Sequence, residues 1–192
     1  MPVVGRVLSV QVGAARLLRI QGREVLSAYG KQPVPGGVSV GCLGLEGDEQ
    51  ADPSVHGGLS KAVYAYPFEH YAFWRTVRAQ ARVAPWDEAL PPGALGENLT
   101  LTGLTESQAW IGDVLKFPDC ALAISEPRYP CFKFEHAMGF RQSARLMAQS
   151  GYCGFYLAVR EEGTVRAGDA FELVPGPREV SIAELFAARM RR

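Results

Sequence analysis

Apolar residues in this chain come in short runs, and glycines and prolines stand between the runs. That punctuation predicts many short strands rather than a few long helices. Residues 3–12 and 38–45 read as strands. Across 98–104, Leu99 and Leu101 alternate with Thr100 and Thr102, which turns one face of a strand into a core. Residues 114–117, 121–125, 155–160 and 170–174 read as further strands. Ile111-Gly112-Asp113 and Ala167-Gly168-Asp169 are similar turns, and each leads into one of these strands. Helical spacing breaks the pattern in three places. A helix over 67–79 opens on Pro67, and Tyr66, His70 and Trp74 lie four apart on its face. A second covers 141–149 and is stopped by Gly151. A third begins after Pro175-Gly176-Pro177 with the capping box Ser181-x-x-Glu184. Its one-sided stripe of Ile182, Leu185 and Phe186 predicts docking on the rest of the chain or on a second subunit, so a homodimer is one expectation. The fold class that follows is mainly β: a β-barrel with a few helical inserts and a short C-terminal helix.

The charges add nothing to an argument for a polyanionic partner. Lys+Arg 20 balances Asp+Glu 20, which speaks against a nucleic acid polymer or a membrane surface, so an anionic ligand must be held by local groups. No apolar run approaches the roughly 18 residues of a membrane helix. The first ten residues lack the features of a secretory signal, so the expected compartment is cytoplasmic. Cys42, Cys120, Cys131 and Cys153 form no Cys-x-x-Cys pair and are expected as free thiols. Cys42, Cys120 and Cys153 sit where a small buried side chain is expected.

Candidate chemistry concentrates in four stretches. From Gly44 to Gly58 the chain carries four acids and His56, and it ends in Gly57-Gly58 shortly before Lys61. Glycine amides can form an anion-binding nest and a lysine adds a point charge for phosphate, although such a stretch can equally be a plain polar loop. From Lys61 to Trp74 the chain is aromatic; Trp74 and Phe68 read as core, whereas Tyr66 and His70 fit either a core or a pocket wall. Gly96-Glu97-Asn98 offers a turn followed by donors and acceptors able to read a heterocycle's edge, or simply a turn. In Pro127-Arg128-Tyr129-Pro130-Cys131-Phe132-Lys133, two prolines stiffen the backbone and two cations favour the Cys131 thiolate. A merely buried cysteine needs neither, so Cys131 is the residue expected to act.

The motifs Gly47-Asp48-Glu49-Gln50-Ala51-Asp52, Val55-His56-Gly57-Gly58, Tyr66-Pro67-x-Glu69-His70-Tyr71, Gly96-Glu97-Asn98-Leu99 and Pro127-Arg128-x-Pro130-Cys131-x-Lys133 occur in this order. In that order and over nearly the whole chain they resemble MOSC domains, the domain at the C-terminus of molybdenum cofactor sulfurases, and in particular the stand-alone bacterial YiiM-type members. The resemblance implies a barrel domain over 1–175. It takes 176–192 as a C-terminal helix, a remnant of or substitute for the small helical domain that continues such members. It implies binding of the molybdenum cofactor, with Cys131 as the metal ligand and the catalytic residue. Lys61, Arg128 and Lys133 are then assigned to the cofactor phosphate. His56, Gly57, Gly58, Glu97 and Asn98 go to its pterin, and Tyr66 and His70 border the substrate.

Two further expectations follow from this resemblance. The implied activity is reduction of small N-hydroxylated compounds such as hydroxylaminopurines. The alternative is a carrier of the cofactor, or of sulfur as a Cys131 persulfide, without turnover. A cysteine hydrolase using Cys131 with His136 or His56 has no recognisable nucleophile motif. The sequence holds no cysteine cluster for an iron–sulfur centre and no Gly-x-Gly-x-x-Gly for a dinucleotide, so a separate electron-donor reductase is expected as partner.

Overall fold

The strand-forming runs close into a barrel. A computed structural model describes residues 4–51 and 57–191. Its strands are β1 (Val4–Val12), β2 (Arg16–Ile20), β3 (Arg23–Ser27), β4 (Gln32–Pro33), β5 (Gly37–Gly41), β6 (Gly44–Leu45), β7 (Val63–Pro67), β8 (Leu99–Thr102), β9 (Val114–Lys116), β10 (Ala121–Pro127), β11 (Phe155–Glu161), β12 (Gly163–Arg166) and β13 (Ala170–Val174). Seven of them run in the order β13-β9-β10-β11-β7-β8-β1, and β1 pairs back onto β13. The closed ring leaves no free edge, and it is antiparallel except between β7 and β8. A small sheet β12-β5-β6 and the hairpin β2–β3 stand outside it. Inside, Val7, Leu99, Leu101, Leu115, Leu122, Phe155 and Leu157 are fully buried.

The helices are α1 (Tyr71–Gln80), α2 (Phe132–Met138), α3 (Ser143–Ser150) and α4 (Ile182–Met190). The parallel β7–β8 pair needs a crossover, and α1 lies on it. Here the helix expected from Pro67 starts later: Pro67 ends β7, and a 3-10 turn at Phe68–His70 leads into α1. All five residues of β7 are buried, so it shows no alternation to betray it. The expected strand 38–45 is two strands, β5 and β6, separated by a turn at which Cys42 and Leu43 are exposed. That turn needs Gly44, whose φ is 129° and whose added Cβ would lie 2.4 Å from the Ala62 carbonyl.

α4 is capped as its sequence predicts. Ser181 Oγ accepts from Glu184 N–H at 3.2 Å, and Glu184 Oε2 accepts from Ser181 N–H at 2.8 Å. Ile182 and Phe186 are buried against the barrel, so the stripe docks within the chain, and Leu185 stays half-buried. Ser181→Ala should cost about 1 kcal/mol. The check is a lower denaturant midpoint with an unchanged slope. Among the described residues no helix is long and apolar enough to cross a membrane.

Candidate functional site

Where β10 ends at Pro127, the chain leaves the sheet and crosses Arg128, Tyr129 and Pro130 to reach Cys131. Cys131 is extended (φ −138°, ψ 169°) and caps the start of α2, a helix the sequence pattern did not announce. It lines a cleft together with Arg128, Lys61, Lys31, Asn98 and Lys133.

Arg128 is 3% exposed, which is unusual enough for a guanidinium to fix the reading of the site. It lies over the rings of Tyr29, Tyr64 and Phe134, with its carbon 5.5, 5.5 and 5.4 Å from their centroids. Its Nη2 donates to Tyr29 Oη at 3.3 Å and approaches Cys131 Sγ at 3.8 Å; Nη1 donates to the Tyr129 carbonyl at 3.5 Å. No carboxylate pairs with it among the described residues. Burial acts to strip its proton, but the Tyr29 and Tyr64 hydroxyls and the Cys131 sulfur more than offset that and hold it charged. The same burial pushes Tyr29 and Tyr64 well up and Tyr156 to about 12, against the pull of Arg128. All three phenols are therefore neutral donors at ordinary pH.

The other cations are differently placed. Lys61 Nζ is 3.6 Å from Glu126 and sits over the Tyr156 ring. Lys31 is ion-paired with the nearly buried Asp48. Lys133 Nζ donates to the Leu26 carbonyl at 2.8 Å and ties α2 to β3. Asn98 accepts from Tyr64 N–H at 3.0 Å and donates to the Gln11 carbonyl at 3.2 Å, so its amide laces β7 to β1 at the edge of the cleft.

Several expected site residues lie elsewhere. Glu97 is fully buried behind the cleft and takes hydrogen bonds from Gly93 N–H, Leu95 N–H, Thr100 Oγ1 and, very closely, Tyr71 Oη. Gly57 and Gly58 are half-buried beside the lining; Gly58 N–H donates to Gln50 Oε1 at 3.0 Å. His56 lies outside the described residues. Tyr66 and His70 do not face the cleft. Tyr66 is on a strand, accepts from Trp74 Nε1 at 2.5 Å and donates to the Tyr152 carbonyl; His70 stacks on Tyr152 at 3.8 Å, with Nε2 2.7 Å from Glu106. They form a packed polar knot in the core rather than a helix face.

Of the remaining thiols, Cys120 and Cys153 are buried as expected, and burial raises Cys120 to about 11 and Cys153 well above the thiol range. Cys42 is exposed, against expectation, because it sits in the tight turn. Sequence reasoning missed Tyr29 and Lys31, which come from the loop after β3 and share no motif with Arg128. A second cleft adjoins the first across Tyr29, Lys31 and Lys133; Leu18, Pro91, Pro92 and Ala137 wall it, and the exposed His136 lines it.

The family model described as MOSC domain matches residues 52–172. The chain belongs to the MOSC domain family. YiiM of Escherichia coli is 38% identical to this MOSC chain over 164 residues, which are 84% of this chain and 70% of that protein. A protein named Reductase from Gibberella moniliformis is 34% identical over 177 residues, 92% of this chain but 30% of that protein. The crystal structure of YiiM from Geobacillus stearothermophilus has a TM-score of 0.77 and 29% identity, covering 97% of this chain and 84% of that one. The barrel is thus the MOSC barrel.

Proposed function

We propose that this MOSC domain holds the molybdenum cofactor in the Cys131 cleft and reduces small N-hydroxylated molecules to the corresponding amines. The observation that carries the reading is Arg128: a buried guanidinium, with no carboxylate partner among the described residues, set 3.8 Å from a half-buried thiol. A buried cation is costly unless an anion meets it. A phosphate-bearing, thiolate-binding ligand meets both needs. Among the described residues no three His, Cys, Asp or Glu side chains gather into a metal cage. A metal held at Cys131 would therefore bring its other ligands with it, as a dithiolene cofactor does.

In this reading Cys131 supplies a soft thiolate to the metal. Arg128, Lys61 and Lys133 hold phosphate, and Asn98 with the Gly57-Gly58 turn edges the pterin; Glu97 acts from behind by fixing the 93–98 loop. The phenols of Tyr29, Tyr64 and Tyr156 stay neutral and add no charge, and the Tyr29 and Tyr64 hydroxyls donate to the Leu95 and Cys153 carbonyls. The cofactor, when bound, supplies the two-electron chemistry. The substrate reaches it from the adjoining apolar cleft. Reduction of an N–OH group to N–H releases water and consumes two electrons and two protons. The test is molybdenum and pterin analysis of protein made in a host that synthesises the cofactor, together with amine formation driven by a reduced dye. Bound cofactor without amine formation would favour a carrier, a role in which Arg128 would steady a Cys131 persulfide.

The electrons need a second protein. With no dinucleotide fingerprint and no iron–sulfur cysteines in the sequence, the purified chain loaded with cofactor should show no turnover with NADH alone. Turnover should appear with a dye or an added reductase. NADH-driven amine formation by the single protein would contradict this.

A further inference from the structure

Beyond Pro127 the chain loses its sheet partner. The last residue pairs of β10 are Glu126 with Tyr156 and Pro127 with Phe155. Residues 128–131, which carry both Arg128 and Cys131, continue without a ladder. Packing must hold them instead, and on the cleft side Arg128 is set among Tyr29, Tyr64 and Phe134.

A second holding contact lies on the far side. Arg128 and Cys131 face the cleft, whereas Tyr129 faces outward into a groove with Glu126, Leu185 and Arg189. The Tyr129 ring stacks on Phe186, with centroids 5.7 Å apart and planes 10° apart. The Arg189 guanidinium covers the Tyr129 ring at 4.3 Å. Both partners belong to α4, one turn apart. α4 is itself firmly set. Ile182 and Phe186 are buried, and Ile111 N–H and Ile182 N–H bond to the Val180 and Ala109 carbonyls at 3.0 and 2.8 Å. The clamp also reaches Arg128 directly, since the Tyr129 carbonyl accepts from Arg128 Nη1.

We propose that α4 is a positioning element for the Cys131 site, acting through a sandwich in which Phe186 and Arg189 grip Tyr129 and so hold Arg128 against the Cys131 sulfur. Phe186, Tyr129 and Arg189 are positioning residues; none of them lines the cleft. The inference rests on Cys131 being the working thiol of the proposed function, but it requires no metal.

The test therefore reads the thiol itself, in cofactor-free protein carrying Cys42→Ser to silence the exposed thiol. The measurement is the rate of Cys131 alkylation by iodoacetamide at one fixed pH. Cys131 is already half-exposed, so access does not limit the rate, and a cation beside the thiol favours the reactive thiolate. Tyr129→Leu and Arg189→Ala should each slow alkylation by about threefold or more, because Arg128 is no longer held at the sulfur. Tyr129→Phe keeps the ring and should restore the rate to within about twofold, and Arg191→Ala, at the exposed end of α4, should do no harm. Arg189 is exposed, so Arg189→Ala should leave the unfolding midpoint in place and decides the matter even if Tyr129→Leu fails to fold. Wild-type rates in Arg189→Ala, a faster rate, or a Tyr129→Phe variant as slow as Tyr129→Leu would each overturn the proposal. Failure of the cofactor reading would show instead as absent molybdenum and pterin with these thiol rates unaltered.

Discussion

Cys131→Ala should lose molybdenum and all reductase activity while folding as the wild type does. The side chain is small and half-exposed, so its removal leaves little cavity. What it removes is the sulfur beside Arg128, 3.8 Å from Nη2. Cys131→Ser keeps the size but offers a poorly ionised hydroxyl in place of a soft ligand, and should fare little better. With the cofactor held as proposed, some pterin should remain bound, because Arg128, Lys61 and Lys133 would hold its phosphate independently of the sulfur. The other three cysteines provide the controls. Cys42→Ala, in an exposed turn, should change nothing. Cys120→Ala and Cys153→Ala should cost stability alone, about 1 kcal/mol each for small buried side chains. Metal content, activity and unfolding midpoint across the four single variants settle the assignment. An active Cys131→Ala, or a different cysteine proving essential, would sink it.

The sequence displayed Cys131 because its signal is local: two prolines and two cations within a few residues are visible in any reading. The partners of Arg128 were hidden for the opposite reason. Tyr29 comes from 99 positions away, and nothing in its own neighbourhood marks it. β13, with one exposed face, was legible as alternation, and Ala170–Val174 was recovered to the residue. β7 was not, since a strand buried on both faces has no period to detect. The spacing of Tyr66, His70 and Trp74 misled because period four was read through a junction. Tyr66 ends up on a strand and Trp74 on a helix, and they meet through a hydrogen bond rather than a shared face. The capping box made α4 legible as a docked helix. Its grip on Tyr129 depends on how the barrel returns that helix to the Cys131 segment, which no local pattern encodes.

Glu97→Leu should be among the most destabilising single changes in the chain. Its carboxylate is fully buried and receives four donors: two backbone N–H groups, from Gly93 and Leu95, and the hydroxyls of Thr100 and Tyr71. These bonds shape the 93–98 loop, which carries Gly96 under the Tyr29 ring and Asn98 to the cleft edge. Leucine would leave four buried donors without an acceptor. At about 1–3 kcal/mol each, partly relieved by relaxation, the loss should be about 4 kcal/mol or more. Glu97→Gln keeps one acceptor oxygen but turns an amide N–H₂ toward donors, and should cost about 1–3 kcal/mol. The two variants also predict a pH signature. Burial raises the Glu97 carboxyl above its ordinary 4.5, and the four donors pull it only part of the way back. A carboxyl raised in the folded state keeps its proton there after the unfolded chain has released its own. Its contribution to stability is therefore complete below pH 4.5 and falls as pH rises through the native value. The margin of wild type over Glu97→Gln should accordingly be widest in acid and narrow as pH rises, then level off. Denaturant midpoints of the two proteins across that range measure it. A margin that widens with pH would mean that the four donors outweigh burial and that Glu97 is held as a stabilised anion.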